Sequence, residues 1–206
     1  MSKKSPHHAT PDYSREQTYF ARGLGPVAGV DEAGRGPLAG PVVVAACILD
    51  PERIPYGLND SKKLAAIKRE KLFDDILNSS HCAVVSVSAA EIDRSNIRAV
   101  TLKAMVEAVY ALAVKPGAVL VDGRDWPKMP YAGEAVIKGD ALSLSIAAAS
   151  IVAKVTRDRL MKEAAQFWPD YGFEKHAGYG TSAHMKAIAH FGPSPLHRMS
   201  FAPLKS

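Results

Sequence analysis

The chain has 206 residues, 47% hydrophobic and 23% charged, with 26 Lys and Arg against 21 Asp and Glu for a net charge of +5. That length supports one complete core, and the composition excludes disordered and collagen-like chains. No apolar run reaches the length of a membrane-spanning helix, and the basic excess permits a polyanionic partner without requiring one.

Residues 1–22 are polar, with Lys3, Lys4, His7, His8 and Pro11, and lack the apolar centre of a secretory signal. They read as a flexible tail ahead of a single domain spanning residues 23–206, in a cytoplasmic protein. Val27 to Glu32 and Pro41 to Leu49 are strand-like apolar runs joined by the turn Gly34-Arg35-Gly36-Pro37. Ser61 is a candidate N-cap for a helix through Leu77, with Leu64, Ile67, Leu72, Phe73 and Ile76 on its apolar face. Ala83 to Val87 predicts a third strand, and Ser95 to Val114 a further helix ended by Pro116-Gly117. Ala118 to Val121 and Ala135 to Ile137 predict two more strands.

Asp140 opens a helix reaching about Gln166, and its first half, Ala141 to Ala153, is apolar on nearly all sides. Such a helix is usually buried between layers. A loop through Tyr171 and Tyr179, a helix from Ser182 to His190 and a proline-rich tail complete the chain. The expected fold class is α/β: a mixed central sheet of about five strands flanked by helices, with a small helical C-terminal extension. Cys47 and Cys82 sit in strand-like runs without CxxC spacing, which suits buried thiols in a reducing compartment.

Four carboxylates share a position type, each where a strand ends or a helix begins: Asp31, Glu32, Asp122 and Asp140. Strand ends on one edge of an α/β sheet converge on a ligand-binding crevice. Each acid has a plainer reading. Asp122-Gly123 is a common turn dipeptide, Asp140 is a good helix N-cap, and Arg35 could pair with Asp31 or Glu32. Adjacent strand residues point to opposite faces, so Asp31 and Glu32 reach one site only if the backbone bends, which Ala33-Gly34 permits. A carboxylate set without neighbouring Cys or His suits Mg²⁺ or Mn²⁺. Two such ions about 4 Å apart can activate water and stabilise the leaving oxygen in phosphodiester hydrolysis.

Asp31-Glu32-Ala33-Gly34-Arg35-Gly36, followed by Gly40-Pro41, resembles the signature of type 2 ribonuclease H, the bacterial ribonuclease HII family. Further matches include Asp60-Ser61-Lys62-Lys63-Leu64, Val121-Asp122-Gly123, Lys138-Gly139-Asp140, Ala147 to Lys154, Arg157-Asp158, His176 to Thr181 and His197 to Phe201. Their number and order, from about Val27 to Pro203, make the match specific. The resemblance implies a ribonuclease H-like fold and a metal site of Asp31, Glu32, Asp122 and Asp140 holding two Mn²⁺ or Mg²⁺ ions during catalysis. It also implies an endonuclease that cuts the RNA of RNA–DNA hybrids and cuts 5′ of single ribonucleotides embedded in duplex DNA. The products that the resemblance implies are a 3′-hydroxyl and a 5′-phosphate.

By the same resemblance the backbone of Gly34, Arg35 and Gly36 contacts the ribose 2′-hydroxyl and flanking phosphate, and Tyr179 packs on the sugar beside the cut. Glycines allow such close main-chain approach, and the 2′-hydroxyl is what separates RNA from DNA. Lys62 and Lys63 resemble phosphate contacts, though a solvated helical turn would look the same. Arg157 and Lys154, three apart on one helix, face either nucleic acid or solvent. The spacings of His176, His184, His190 and His197 match no zinc pattern. The family is typically monomeric, and the tail carries no clear motif for a sliding clamp. Two other classes remain open at this point: a non-catalytic nucleic-acid module, and a phosphotransferase using Gly34 to Gly40, which lacks the Lys-Ser/Thr of a phosphate loop.

Overall fold

The structure, a computed structural model, describes residues 10–205. Its centre is a five-stranded sheet in the order β3-β2-β1-β4-β5. The strands are β1 (Val27–Ala33), β2 (Val42–Leu49), β3 (Ser80–Val87), β4 (Ala118–Asp122) and β5 (Ala132–Val136). β1 pairs antiparallel with β2 and parallel with β4, while β2–β3 is antiparallel and β4–β5 parallel. The mixed sheet follows from chain order, since a hairpin-like β1–β2–β3 meander precedes the segments that return parallel.

Every residue of β2 is buried, as its unbroken Val/Ala/Cys/Ile/Leu run requires of a strand covered on both faces. Val42, Val44, Ala46 and Ile48 pack with Ala104, Met105, Ala108 and Val109 of α4 (Ile97–Tyr110). The alternate residues Val43, Ala45, Cys47 and Leu49 pack with α2 (Ala66–Ser79) and α5 (Leu144–Phe167). The apolar first half of α5 thus packs on the face of the sheet opposite α4, and Ala147, Ala148 and Ala149 are wholly buried. Gly29 makes this possible: a Cβ there would overlap the Ser145 backbone, so only glycine lets α5 lie directly on β1.

Several element boundaries differ from expectation. Residues 1–9 lie outside the described residues, but the expected tail to residue 22 is interrupted by helix α1 (Ser14–Phe20). Its buried face is built from Tyr19 and a glutamate, Glu16, so hydrophobic periodicity does not reveal it. The expected Ser61–Leu77 helix is a short 3₁₀ turn, Ser61–Lys63, then extended Leu64, then α2. Asp60, not Ser61, caps that turn, accepting from Lys62 N at 2.9 Å.

The expected Ser95–Val114 helix is preceded by a separate one, α3 (Ala89–Arg94), started by a Ser88–Glu91 capping box. Asn96 caps α4, accepting from Ala99 N at 2.8 Å. Asp140 lies in a 3₁₀ turn, Gly139–Ala141, and the cap of α5 is Ser143. The C-terminal region forms α6 (Phe173–His176) and α7 (Ser182–Phe191) around a cluster of Leu38, Met161, Tyr171, Phe173 and Ile188. Cys47 and Cys82 are free thiols facing one another across β2 and β3, with sulfurs 3.2 Å apart.

Candidate active site

Because β1 and β4 run parallel with Val30 beside Val121, their next residues, Asp31 and Asp122, emerge side by side at one edge of the sheet. Asp31 shares the face of Gly29 and meets α5, where the nearby Ser150 hydroxyl favours its anion. Its Oδ1 also accepts from Glu32 N at 2.7 Å. Glu32 leaves the strand on the other face, and its Oε1 stands 3.4 Å from Arg35 Nη1. Arg35 is nearly half exposed, so this pair supplies only weak compensation. Asp122 Oδ1 accepts from Gly139 N at 2.6 Å, which fastens the turn carrying Asp140 to the end of β4.

Four acids so placed raise one another's proton affinity. Burial, followed by the charges of Glu32 and Asp122, lifts Asp31 well above the usual carboxylate range. Burial lifts Glu32 against the opposing Arg35 guanidinium. Burial also lifts Asp122 despite the amides of Gly139 and Asp140 that favour its anion. Asp140 is pushed up to about 6 by burial, then by Asp122 and Asp60. One cation answers this field directly. Burial would lower the Lys62 ammonium, but Asp31, Asp140, Asp60 and Asp122 together raise it.

Among the described residues no three His, Cys, Asp or Glu side chains are closed into a ready-made metal cluster. The donor set nonetheless fits a hard divalent ion. It consists of oxygen alone, and all four carboxylates are held above their ordinary proton affinity by burial that a cation would compensate. Asp31, Glu32, Asp122 and Asp140 would hold Mg²⁺ or Mn²⁺ here.

The loop Gly34–Gly40 leaves the acids at a bend, with Gly34 at φ +95°. A Cβ at Gly34 would overlap the Arg157 side chain, so glycine is required on both counts. Two buried arginines hold this loop by its carbonyls. Arg198 donates to Gly34 O at 2.6 Å, Arg35 O at 2.9 Å and Gly40 O at 2.8 Å. Arg157 donates to Pro41 O at 2.9 Å, Ala39 O at 3.2 Å and Ala177 O at 2.9 Å. Within a trans peptide the C=O and the following N–H point oppositely. Fixing the Gly34 and Arg35 carbonyls inward therefore aims the amides of Arg35 and Gly36 away from Arg198. Arg35 and Gly36 line a cleft of about 290 Å³ that also presents Glu32, Lys62, Ser150 and Tyr179.

Tyr179 is docked on the same loop. The Gly178 carbonyl accepts from Leu38 N at 2.9 Å and Ala39 N at 3.3 Å, with Gly178 at φ +81°. Behind it, hydrogen-bond chemistry fixes the histidine tautomers. The Tyr179 carbonyl can only accept, so His184 Nδ1 donates to it at 2.9 Å, leaving His184 Nε2 as acceptor. His197 Nε2 then donates across 3.0 Å, and His197 Nδ1 accepts from Ser194 N at 2.9 Å. Both rings are buried and neutral. Burial pulls His184 down, and burial with His184 takes His197 down to about 4.

The expected site residues thus divide. Asp31, Glu32, Asp122, Asp140 and Lys62 share one electrostatic site, and Gly34, Arg35, Gly36 and Tyr179 share the adjoining cleft. Lys63 is exposed and lines no part of that cleft. Arg157 faces neither nucleic acid nor solvent, because its guanidinium is spent on loop carbonyls. Lys154 pairs with Asp158 at 2.7 Å on the cleft wall. An adjoining hollow of about 470 Å³ shares Lys154 and Tyr179 but holds none of the four acids. Arg198, Ser150 and Asp60 gave no signal beyond their motifs, since periodicity does not distinguish a buried polar group from a solvated one.

The model of the ribonuclease HII family matches residues 28–204. The chain belongs to the ribonuclease HII family. It is similar to a ribonuclease HII of Agrobacterium fabrum, 57% identical over 196 residues that cover 95% of this chain and 90% of that one. The solved ribonuclease H2 from Pyrococcus horikoshii OT3 is 30% identical, with a TM-score of 0.75 over 87% of this chain and 95% of its own. A ribonuclease HII of Archaeoglobus fulgidus, solved in complex with PCNA, is 28% identical with a TM-score of 0.73 over 87% of this chain and 96% of its own. As a ribonuclease HII family member the chain is a metal-dependent endonuclease that hydrolyses phosphodiester bonds in the RNA of RNA–DNA hybrids. No helix among its described residues is long and apolar enough to cross a membrane.

Proposed function

We propose that this chain also cuts on the 5′ side of single ribonucleotides embedded in duplex DNA, leaving a 3′-hydroxyl and a 5′-phosphate, by two-metal-ion hydrolysis. The observation that carries this reading is the direct continuity of β1 into the inspection loop. Asp31 and Glu32 are followed within four residues by the amides of Arg35 and Gly36, which line the cleft and which the Arg198–carbonyl bonds turn away from Arg198. One ribose can therefore sit against Arg35 and Gly36 while its phosphate lies beside the acids. A 2′-hydroxyl accepts from those amides, and a deoxyribose leaves them unpaired, a penalty of about 1–3 kcal/mol per buried donor. Tyr179 supplies an aromatic face at the rim, beside Gly36.

Divalent ions held by Asp31, Glu32, Asp122 and Asp140 would supply charge stabilisation and an activated water. The carboxylates act as ligands rather than nucleophiles. Lys62, poised within their field, neutralises part of their charge and offers its ammonium to the incoming phosphate. A sliding-clamp contact is consistent with the Archaeoglobus fulgidus neighbour solved with PCNA, and the C-terminal segment carries no clear motif for it. Phe201, its only aromatic residue after Phe191 apart from His197, is committed to packing within the fold and against Arg198.

The deciding experiment uses matched duplexes with one, several or no ribonucleotides, in Mg²⁺ and then Mn²⁺. Asp122→Asn is expected to retain the wild-type melting profile and lose at least about 10²-fold in cleavage rate, the scale for removing one electrostatic stabiliser. Full activity in that variant would sink the mechanism. Equal cutting of the all-DNA duplex by the wild-type chain would sink the ribose-reading role of the loop.

A further inference from the structure

Glu16 on α1 is completely buried, an expensive place for a carboxylate unless bonds compensate it. Its Oε1 accepts from Ser143 Oγ at 2.6 Å and from Ser145 N at 2.9 Å, at the positive N-terminal end of the 24-residue helix α5. Its Oε2 has no partner among the described residues. The main chain reinforces the junction: Asp12 bridges Ser143, with Leu144 N donating to Asp12 O at 3.1 Å. Tyr19, further along α1, packs with Val27, Leu120 and Val136, so the helix is seated on the sheet itself.

From Ser143 the bonds continue to the acids. Ser143 N donates to Gly139 O at 2.8 Å, and Gly139 N donates to Asp122 Oδ1 at 2.6 Å. Asp140 directly follows Gly139, at the start of the short turn closed by the Ser143–Gly139 bond. We infer that Glu16 is a positioning residue for the carboxylate site, setting Asp122 and Asp140 through Ser143 and Gly139. The segment before β1 is then the rear wall of the catalytic edge rather than an appendage. This inference rests on the assignment of Asp122 and Asp140 as metal-holding acids.

Three variants test it by binding of Mn²⁺ alone, without substrate, alongside melting curves and steady-state cleavage. Glu16→Ala removes the acceptor of both bonds and is expected to weaken Mn²⁺ binding by about tenfold, the usual cost of losing an outer support of a metal site. Its kcat falls in parallel while KM for the duplex holds, because the inspection loop is anchored elsewhere. Glu16→Gln keeps an acceptor oxygen in place and restores Mn²⁺ binding to within about twofold of wild type. Ser143→Ala, which removes the hydroxyl link and keeps the carboxylate, covers the case in which Glu16→Ala does not fold, and it must weaken Mn²⁺ binding too. Unchanged Mn²⁺ isotherms with only a lowered melting temperature would make Glu16 a structural tie and overturn the inference. Failure of the metal-site reading looks different: wild-type and Asp122→Asn chains would then bind Mn²⁺ alike.

Discussion

The two halves of the cleft solve opposite electrostatic problems. On the acid side, Asp31, Glu32, Asp122 and Asp140 crowd together with Lys62 as the central cation, and every carboxylate is held above its ordinary proton affinity. On the recognition side, Arg157 and Arg198 are buried, and among the described residues no carboxylate is bonded to either guanidinium. Their charges are met by backbone carbonyls, and the histidines behind Tyr179 are kept neutral. The first half stores unmet charge, which is what a site built for cations and a reacting phosphate requires. The second half meets its charge internally, which makes a rigid surface for reading a ribose.

Breaking the recognition half at its anchor is expected to have a larger effect than any change of pH on either half. Arg198 makes four bonds to three carbonyls from a single planar fork. Arg198→Lys keeps the charge but not the fork, leaving at least one carbonyl unpaired at about 1–3 kcal/mol. We expect kcat/KM on a single-ribonucleotide duplex to fall by about 10²-fold, with the Mn²⁺ isotherm unchanged. If Mn²⁺ affinity fell equally, the two halves would not be separable.

The acids were legible in the sequence because each ends an apolar run or opens a helical segment, positions that a buried sheet makes costly for charge. The sheet was legible for the same reason, through β2 and β4. What escaped was structure whose buried faces are polar. α1 hides because Glu16 occupies an inward position. Arg157 and Arg198 hide because a guanidinium satisfied by carbonyls has no signature in spacing. His184 and His197 meet only through the fold of the C-terminal region. The Ser88–Glu91 capping box was present in the sequence as a signal for α3, yet the apolar pattern of the following helix overshadowed it.

A second, smaller effect tests the acid half. Asp140 is a carboxylic acid with its proton affinity raised to about 6. Below that pH it is protonated and neutral, above it charged, so protons and a divalent ion compete for it. Mn²⁺ binding should weaken by about tenfold between pH 7 and pH 5 for one such competing proton. Titrations of the substrate-free chain across that range check this, and Asp140→Asn should flatten the slope. An Mn²⁺ affinity independent of pH would show that the acids are not the charge reservoir they are taken to be.

The smallest effect falls on stability and leaves the chemistry at pH 7 untouched. His197 has its proton affinity lowered in the folded chain to about 4 from 6.5. Above pH 6.5 it is neutral in both folded and unfolded states and contributes no pH dependence. As pH falls below 6.5 the unfolded chain takes the proton first, so stability is lost progressively down to about 4. At pH 6 the loss from this residue is about 1 kcal/mol. His197→Gln can still donate to His184 and accept from Ser194, and it does not titrate. Its unfolding free energy should therefore vary less steeply between pH 7 and pH 5 than that of the wild-type chain. Equal slopes would mean that the His184–His197 link does not keep His197 neutral. The recognition half would then carry an unmet charge of its own, and the contrast with the acid half would fail.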